Sequence, residues 1–134
     1  MWYDGAVVYQ IYPLGLCGAP LVNSGDAAQA EQHRLLRVLD WVEHIKRTGA
    51  DTVLLNPVFD SDRHGYDTRD YNRVDPRLGT NGDLAQVCRA FHDAGLRVML
   101  DGVFNHVGRG FWAFRDVQEK KWDSPYQDWF HIDF

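Results

Sequence analysis

Two places in the sequence share one construction, in which an amphipathic stretch is followed by a glycine and then by a short apolar run. Gly49 precedes the run Thr52–Leu55, and Gly95 precedes the run Arg97–Leu100. A third short run, 6–11, is rich in β-branched and aromatic residues and is typical of a strand. Because the segments between these runs are long enough to hold a helix, the strands are expected to pair in parallel. The sequence therefore predicts an α/β fold built from three βα units.

The two stretches between the predicted strands have the spacing of amphipathic helices. The first begins near Gln29, and its apolar side chains recur at helical spacing as far as Ile45. The second begins with Thr80 as an N-cap and continues to Asp83, the arrangement of a capping box. Its apolar face consists of Leu84, Val87, Cys88 and Phe91. Both helices are expected to end at the glycines that precede the strands.

Two architectures are compatible with these units, a doubly wound sheet and a (β/α)8 barrel. The chain length of 134 residues suits half of a doubly wound sheet. In barrels, the loops that follow the strands are long and functional, whereas the returns from helix to strand are short. The segments after all three strands are long and polar here, which favours the barrel. The second of them, roughly residues 58–79, is expected to be a loop. Beyond Gly110 the pattern gives way to an aromatic-rich stretch, so we predict barrel residues 1–109 and an insertion, 110–134, after the third strand.

The charge and composition of the chain limit the classes of partner that it is expected to bind. Its formal net charge is −5, and its 14 Lys and Arg residues form no long run, whereas nucleic-acid binding needs a clustered positive surface. No stretch approaches the roughly 20 consecutive apolar residues of a membrane span. The N-terminus does not resemble a signal peptide, and Cys17 and Cys88 are expected to be free buried thiols. We therefore expect a cytoplasmic protein with no nucleic-acid or membrane partner.

Polar residues cluster after the second and third predicted strands. The stretch 101–106 brings an acid, an amide and an imidazole to the end of a strand, and 64–71 sets aromatic rings beside carboxylates. Each of these polar groups can hydrogen-bond a ligand hydroxyl. Since the ends of parallel strands meet at one edge of a sheet, the two stretches are expected to converge. Their spacing alone leaves open a purely structural cluster of hydrogen bonds and local Asp–Arg pairs.

Four motifs, taken in order, resemble the first third of the α-amylase superfamily of glycoside hydrolases. They are VYQIYP at 8–13, LNPVF at 55–59, YDTRDY at 66–71 and DGVFNH at 101–106. The resemblance covers essentially the whole chain and implies a (β/α)8 barrel. The ending SPYQDWFHI at 124–132 is similar to the insertion domain of the neopullulanase, cyclomaltodextrinase and maltogenic-amylase branch.

The resemblance implies roles for the residues at matching positions. Tyr66 would stack on the sugar whose bond is cleaved. Asp67 would hold that end of the substrate, and His106 would hydrogen-bond one of its hydroxyls. Asp101, Asn105 and His64 would support the site, Asp101 together with an arginine that this chain does not reach.

Calcium is the one metal that the resemblance suggests for this chain. Asn105 matches a calcium ligand that joins barrel and insertion in many relatives, and an amide oxygen suits that hard cation. The branch named above often lacks this site. The loop 14–20 also departs from the family, because it has neither the Arg/Phe pair nor the Asp/Asn-rich calcium loop of many relatives. We therefore predict no required cofactor, with calcium at Asn105 as an open alternative.

The resemblance implies a retaining glycosidase that hydrolyses α-glucosidic bonds in starch-derived maltodextrins or cyclodextrins. Its nucleophile, its acid/base and a third carboxylate would come from later strands of the barrel, so no acid here is assigned to catalysis. We expect this segment to be inactive alone and the full-length protein to be able to form homo-oligomers. The alternative is a non-catalytic amylase-like barrel that serves as an accessory subunit. Retention of Tyr66, Asp67 and His106 favours the enzyme.

A further expectation concerns the 134-residue polypeptide on its own. Three strands of a barrel leave two unpaired sheet edges and a helix layer that lacks half of its partners. We expect the isolated polypeptide to be poorly soluble or to self-associate, which size-exclusion chromatography with light scattering measures. A monomer with a cooperative thermal transition would contradict this expectation.

Overall fold

The computed structural model describes residues 1–134 and alternates strands with helices. In chain order the elements are β1 (Val8–Ile11), α1 (Pro13–Leu16), two 3-10 helices (Ala27–Gln32 and Arg34–Trp41), α2 (Val42–Arg47), β2 (Thr52–Leu55), β3 (Phe59–Ser61), β4 (Thr68–Val74), α3 (Asn81–Asp93), β5 (Arg97–Leu100), α4 (Trp112–Lys120) and two further 3-10 helices (Lys121–Asp123 and Gln127–Trp129). None of the helices combines the length and the apolar surface that a bilayer crossing requires.

Strands β1, β2 and β5 form a parallel sheet in that order. Their register sets Ile11 opposite Leu55, which lies opposite Leu100. The carboxyl ends of the three strands therefore lie along one edge, and the chain leaves the sheet there each time. This arrangement confirms the predicted parallel α/β units.

One face of the sheet is covered by helices and forms the core. Val53 and Leu55 are fully buried on that face, because alternate residues of a strand point the same way. The helices contribute a second layer of buried side chains: Leu35, Val38, Ile45, Val87 and Phe91. Val8 and Met99 lie on the opposite face and stay exposed. Burial of apolar surface, at about 25 cal/mol per Å², thus stabilises the sheet from one side.

The capping box predicted at the start of α3 is confirmed. The Thr80 hydroxyl accepts the Asp83 backbone N–H over 3.1 Å, and the Asp83 carboxylate accepts the Thr80 backbone N–H over 2.7 Å. His33 adds a third contact, with its Nδ1 at 2.9 Å from the same carboxylate. Burial favours protonation of Asp83, but the hydrogen bonds from His33 and Thr80 outweigh it and hold the pKa below its ordinary 3.8. The helix therefore begins at a charged and fully hydrogen-bonded carboxylate.

The segment predicted to be helical from Gln29 is helical, but it begins with two 3-10 helices. His33 separates them with a left-handed backbone, at φ 46°. Leu35 donates its backbone N–H to the carbonyl of Leu78, 2.7 Å away and outside the helix. Side chains three residues apart lie in line in this tighter helix, and Leu35 and Val38 are both fully buried. Docking against the turn before α3 accompanies the tighter winding.

The largest difference from the sequence prediction lies in residues 58–79, which were expected to form a polar loop. Strands β3 and β4 pair there as an irregular antiparallel hairpin, with Phe59 opposite Val74. The polar composition of β4 hides this strand from a search for apolar alternation. The two sides of the hairpin are joined by two ion pairs, Arg69 with Asp62 and Arg73 with Asp60.

Residues 110–134 contain α4 and pack aromatic rings against the β3–β4 hairpin. The rings of Phe111 and Tyr71 have centroids 5.9 Å apart, and those of Phe114 and Phe130 are 5.4 Å apart. Both pairs meet edge to face, the geometry that aromatic rings favour. The aromatic-rich stretch is therefore an ordered layer over the hairpin. The division of the chain into barrel and insertion at residue 109 stays a prediction.

Both cysteines are free thiols, with Cys17 fully buried and Cys88 half-buried. Burial raises the pKa of the Cys17 thiol to about 11, against a smaller opposing effect of Arg37. The thiol is therefore protonated at neutral pH and acts as a small apolar side chain.

The contact between His33 and Asp83 should make the stability of the fold depend on pH. Its hydrogen bond to Asp83 raises the pKa of His33 above 6.5, so this contribution is complete below that value and is lost as the pH rises through the raised pKa. The lowered pKa of Asp83 limits the same contribution from the acid side. We expect His33→Asn, which tolerates the left-handed backbone, to lower Tm more at about pH 5.5 than at about pH 8.5.

The control for this measurement is His131→Asn, which replaces an exposed histidine. Thermal unfolding of both variants and of the parent protein gives the two differences in Tm at each pH. Equal losses at the two pH values in His33→Asn would show that the ion pair contributes nothing.

Candidate functional site

The candidate site lies at the edge where the three parallel strands end. Tyr12, Asn56 and Asp101 are the first residues after β1, β2 and β5, and the register aligns them. The tip of the β3–β4 hairpin, residues 62–67, folds over the same edge. The Tyr12 hydroxyl donates to the carbonyl of His64 in that tip, over 3.0 Å. Side chains far apart in the sequence thus meet at one edge.

A directed chain of hydrogen bonds crosses this edge. The Gln10 amide donates to Asn56 Oδ1 over 2.8 Å, and Asn56 Nδ2 donates to the phenol oxygen of Tyr66 over 2.6 Å. The Tyr66 hydroxyl donates in turn to Asp101 Oδ2 over 3.0 Å. A carboxylate can only accept, so Asp101 sets the direction of the whole chain. The phenol oxygen of Tyr66 is therefore occupied by protein groups.

The protonation state of Tyr66 follows from these contacts. Burial raises the pKa of its phenol above the ordinary 10, the hydrogen bond to Asp101 raises it further, and Asn56 opposes the shift. The phenol is therefore protonated at neutral pH, as a donor to a carboxylate must be. The side chain is still 36% exposed. A ligand at Tyr66 accordingly meets the ring and not the hydroxyl.

His106, in the loop after β5, is joined to the same tyrosine. Its Nε2 lies 2.9 Å from the backbone carbonyl of Tyr66, which can only accept, so Nε2 carries the proton. Its Nδ1 accepts from the Asn105 amide over 3.2 Å. Both contacts are satisfied by the neutral imidazole, which directs an N–H towards the hairpin tip.

His64 and Asp67 lie on either side of Tyr66 in that tip. Nδ1 of His64 is 3.2 Å from the backbone N–H of Tyr66 and 3.7 Å from Asp67 Oδ1. One nitrogen cannot accept the N–H and also donate to the carboxylate, and the shorter contact identifies it as the acceptor. Asp67 Oδ1 accepts from Gly65 N over 3.2 Å. The second carboxylate oxygen of Asp67 accepts no hydrogen bond from the protein.

The loop that carries His106 approaches the hairpin tip closely enough to require glycine. A Cβ on Gly108 would lie 2.4 Å from the backbone carbonyl oxygen of Asp67. Its N–H donates to the Thr68 carbonyl over 2.9 Å, which closes the contact. Within the tip, Gly65 has a φ of 97°, which favours glycine. Backbone contact thus fixes the distance between the two loops.

The structure brings the residues singled out in the sequence to one place. Tyr66, Asp67 and His106 belong to the two loops in contact, and Asp101 and His64 both hydrogen-bond Tyr66. Asn105 is exposed and contacts only His106 among them. The contacts of these side chains with a sugar stay predictions.

Two residues shape the site without having been singled out for it. Asn56 links β1 to Tyr66, and its position directly after a buried strand was the available signal. The Tyr71 hydroxyl donates to the backbone carbonyl of Val103, and the carbonyl of His106 lies 3.3 Å from the same oxygen, so Tyr71 supports the loop after β5. Tyr71 ends the YDTRDY motif at 66–71, but the motif assigns it no role of its own.

Two cavities border these residues. One, of about 400 Å³, is lined by Tyr12, His64 and the loop after β1. The other, of about 320 Å³, is lined by His106 together with Trp129 and Phe130. Aromatic walls combined with imidazole and hydroxyl groups suit a ligand that has both C–H faces and hydroxyls.

Asn105 offers little to a calcium ion by itself. Its amide nitrogen is committed to His106, which leaves one side-chain oxygen for a cation. No group of three or more His, Cys, Asp or Glu side chains in the chain could hold a metal ion. Since Ca²⁺ takes six to eight oxygen ligands, the others would come from water, backbone carbonyls or residues elsewhere in the protein. Calcium at Asn105 stays a prediction.

The family model of the α-amylase catalytic domain matches residues 26–133 of the chain. That span contains the hairpin tip and the loop after β5, which hold all six residues singled out above. It begins after β1, so the first strand is added by the alignments with individual relatives.

Curated relatives align over almost the whole chain. Maltogenic α-amylase from Bacillus acidopullulyticus is 36% identical over 98% of the chain, and cyclomaltodextrinase from a Bacillus species is 35% identical over 98%. The alignments cover 24% and 26% of these two relatives. The chain therefore spans about a quarter of the length of the curated relatives it matches. Their names belong to the branch that the ending of the sequence resembles.

Solved structures give the same answer for the fold. Ligand-free cyclic α-maltosyl-(1→6)-maltose hydrolase from Arthrobacter globiformis superimposes with a TM-score of 0.78 at 33% identity. The match covers 98% of this chain and 32% of that one. It confirms the predicted fold class, in which β1, β2 and β5 are the first three strands of a (β/α)8 barrel. By family model, sequence identity and fold, the chain belongs to the α-amylase family and forms part of its catalytic domain.

Proposed function

We propose that this chain forms the part of an α-glucan glycosidase that holds the sugar at the bond to be cleaved. The main support is the meeting of Tyr66, Asp67 and His106 at one edge of the sheet. A hexose presents C–H faces and a rim of hydroxyls, and an aromatic ring beside a carboxylate and an imidazole complements both. The substrates would be starch-derived maltodextrins or cyclodextrins, in keeping with the names of the relatives.

Tyr66 would supply the surface on which the sugar ring stacks. Its hydroxyl is used by Asn56 and Asp101, at 2.6 and 3.0 Å, so its ring keeps one orientation without a ligand. A ring held in advance loses little conformational entropy when the sugar binds. The hydrogen-bond chain therefore supports a positioning role for Asn56 and Asp101.

Asp67 and His106 would bind hydroxyls of the same sugar. One carboxylate oxygen of Asp67 is free of protein donors, and it can accept from a hydroxyl. The Nε2–H of His106 lies against the Tyr66 carbonyl, and a sugar hydroxyl would take the place of that carbonyl as acceptor. The imidazole would need no change of charge to do so.

The bond-breaking groups would come from the rest of the protein. A retaining glycosidase uses two carboxylates about 5 Å apart, one to attack the anomeric carbon and one to act first as acid and then as base. Asp101 is held by the Tyr66 hydroxyl, which suits it to orienting the site and not to attack. The residues of this chain would contribute by fixing the sugar in place while those groups act.

An oligosaccharide is favoured over a single sugar by the second cavity. It adjoins His106, and its aromatic wall includes Trp129, which is 59% exposed. A neighbouring glucose unit of the same chain could stack there. Aromatic residues of 110–134 would in this way extend the site along the glucan.

The activity of the full-length protein that contains this segment tests the proposal. We expect it to hydrolyse cyclodextrins and maltodextrins but not β-linked cellodextrins. Proton NMR of the first products should show the α-anomer, because a retaining mechanism preserves configuration. A folded full-length protein that cleaves none of the α-glucans would contradict the proposal.

Substitutions at Tyr66 test the role of the ring. Tyr66→Phe keeps the stacking surface but leaves Asp101 and Asn56 without their partner, and we expect kcat/KM to fall by about 10- to 100-fold, as for a lost hydrogen bond to a charged group. Tyr66→Ala removes the stacking surface as well, and its kcat/KM should fall further. Steady-state kinetics on a cyclodextrin measure both losses.

The matched control is Tyr3→Phe, at an exposed tyrosine near the N-terminus. It should hydrolyse the same substrate at the parent rate. A kcat/KM of Tyr66→Ala equal to that of the parent protein would show that this tyrosine is not part of the sugar site.

A further inference from the structure

Arg77 is the largest side chain that is completely buried in this chain. It lies in the turn between β4 and α3, and every nitrogen of its guanidinium group donates to a protein oxygen. The acceptors are the carbonyls of Pro20, Leu21 and Arg63 at 2.9, 3.3 and 2.7 Å, the Ser61 hydroxyl at 3.1 Å, and Asp75 Oδ1 and Oδ2 at 2.9 and 2.7 Å.

These oxygens belong to the loop after α1, the β3–β4 hairpin and the turn before α3, and Asn23 adds separate hydrogen bonds from the first segment to the second. Pro20 and Leu21 lie in the loop after α1, and Arg63 lies in the hairpin tip beside His64. Asp75 is itself fully buried, and both of its carboxylate oxygens accept from the Arg77 guanidinium. Arg77 therefore connects both loops that line the cavity next to Tyr12.

The set of acceptors has the composition of a hard-cation site. It contains three backbone carbonyls, one hydroxyl and the two oxygens of one carboxylate. Calcium sites in proteins are built from these oxygen types, with six to eight ligands around the ion. A guanidinium group meets the same oxygens with N–H donors and a permanent positive charge.

We propose that Arg77 acts as a built-in cation, which holds the loop after α1 and the hairpin tip together in the way that a bound calcium ion would. The hairpin tip carries His64, Tyr66 and Asp67, so this arrangement supports the candidate site without an exchangeable ion. Removal of the guanidinium would leave an oxygen-lined cavity with one buried carboxylate. That cavity is a latent calcium site.

The neighbouring buried carboxylate does not compete for this role. Asp60 accepts from the Asn23 amide over 2.7 Å and pairs with Arg73. Each buried acid of this region is thus neutralised by its own arginine. A calcium ion introduced in place of Arg77 would be directed to Asp75.

The test is hydrogen exchange of the full-length protein and of its Arg77→Ala variant, in EDTA, in calcium and in magnesium. We expect residues 18–25 and 61–67 of the parent protein to exchange slowly and equally in all three. In Arg77→Ala the same segments should exchange faster in EDTA. Calcium should restore most of their protection, and magnesium should restore less because it requires closer octahedral ligands.

Two controls separate cation replacement from a general loss of packing. Arg77→Met fills the same space without charge, and it should lose protection that calcium does not restore. Arg47→Ala, at an exposed arginine in α2, should behave as the parent protein in every condition.

The outcomes decide the proposal in each case. If Arg77→Ala fails to fold in EDTA, refolding yield in calcium against magnesium gives the same comparison. If neither measurement shows a recovery that is specific to calcium, the proposal is overturned. Calcium-dependent protection of these loops in the parent protein also overturns it, since the guanidinium would then leave room for an ion.

Discussion

The parallel register of β1, β2 and β5 determines where every polar side chain of the site emerges. Ile11, Leu55 and Leu100 lie side by side, and the residue after each one leaves the sheet at the same edge. A shift of one residue in β2 would exchange its two faces. Asn56 would then point away from Tyr66, and the hydrogen-bond chain that ends at Asp101 would be interrupted. Buried Val53 and Leu55 resist such a shift, so core packing indirectly orients the aromatic ring.

Elements with a local signal could be predicted from the sequence, and those held by distant contacts could not. Gly95 and the capping box at Thr80 each act within a few residues, and the structure has the corresponding boundaries. The β3–β4 hairpin has no such signal. It depends on Arg69 reaching an acid in the hairpin tip and Arg73 reaching one on β3, which spacing along the chain does not reveal. The 3-10 winding before α2 likewise accompanies a contact between Leu35 and a carbonyl far along the chain.

The same distinction applies to the site. Tyr66, Asp101 and His106 could be predicted to converge, because their stretches follow strand ends and the fold class brings strand ends together. Asn56 acquires its role only through its two partners on other segments. Arg77 in the sequence is one more charged residue in a polar stretch. Its complete burial arises from carbonyls that the loop after α1 brings over it, and the residues next to it in the sequence do not indicate this.

The close approach at Gly108 has a consequence for how this site can diversify. With a carbonyl of the hairpin tip where its side chain would be, neither loop can gain bulk or length without displacing the other. Changes that retune the surroundings of His106 must therefore arise together with changes beside Asp67. Within the family, variation here is expected to occur as matched pairs of substitutions. Grafting one loop alone from a relative would leave it without the partner loop whose backbone it contacts.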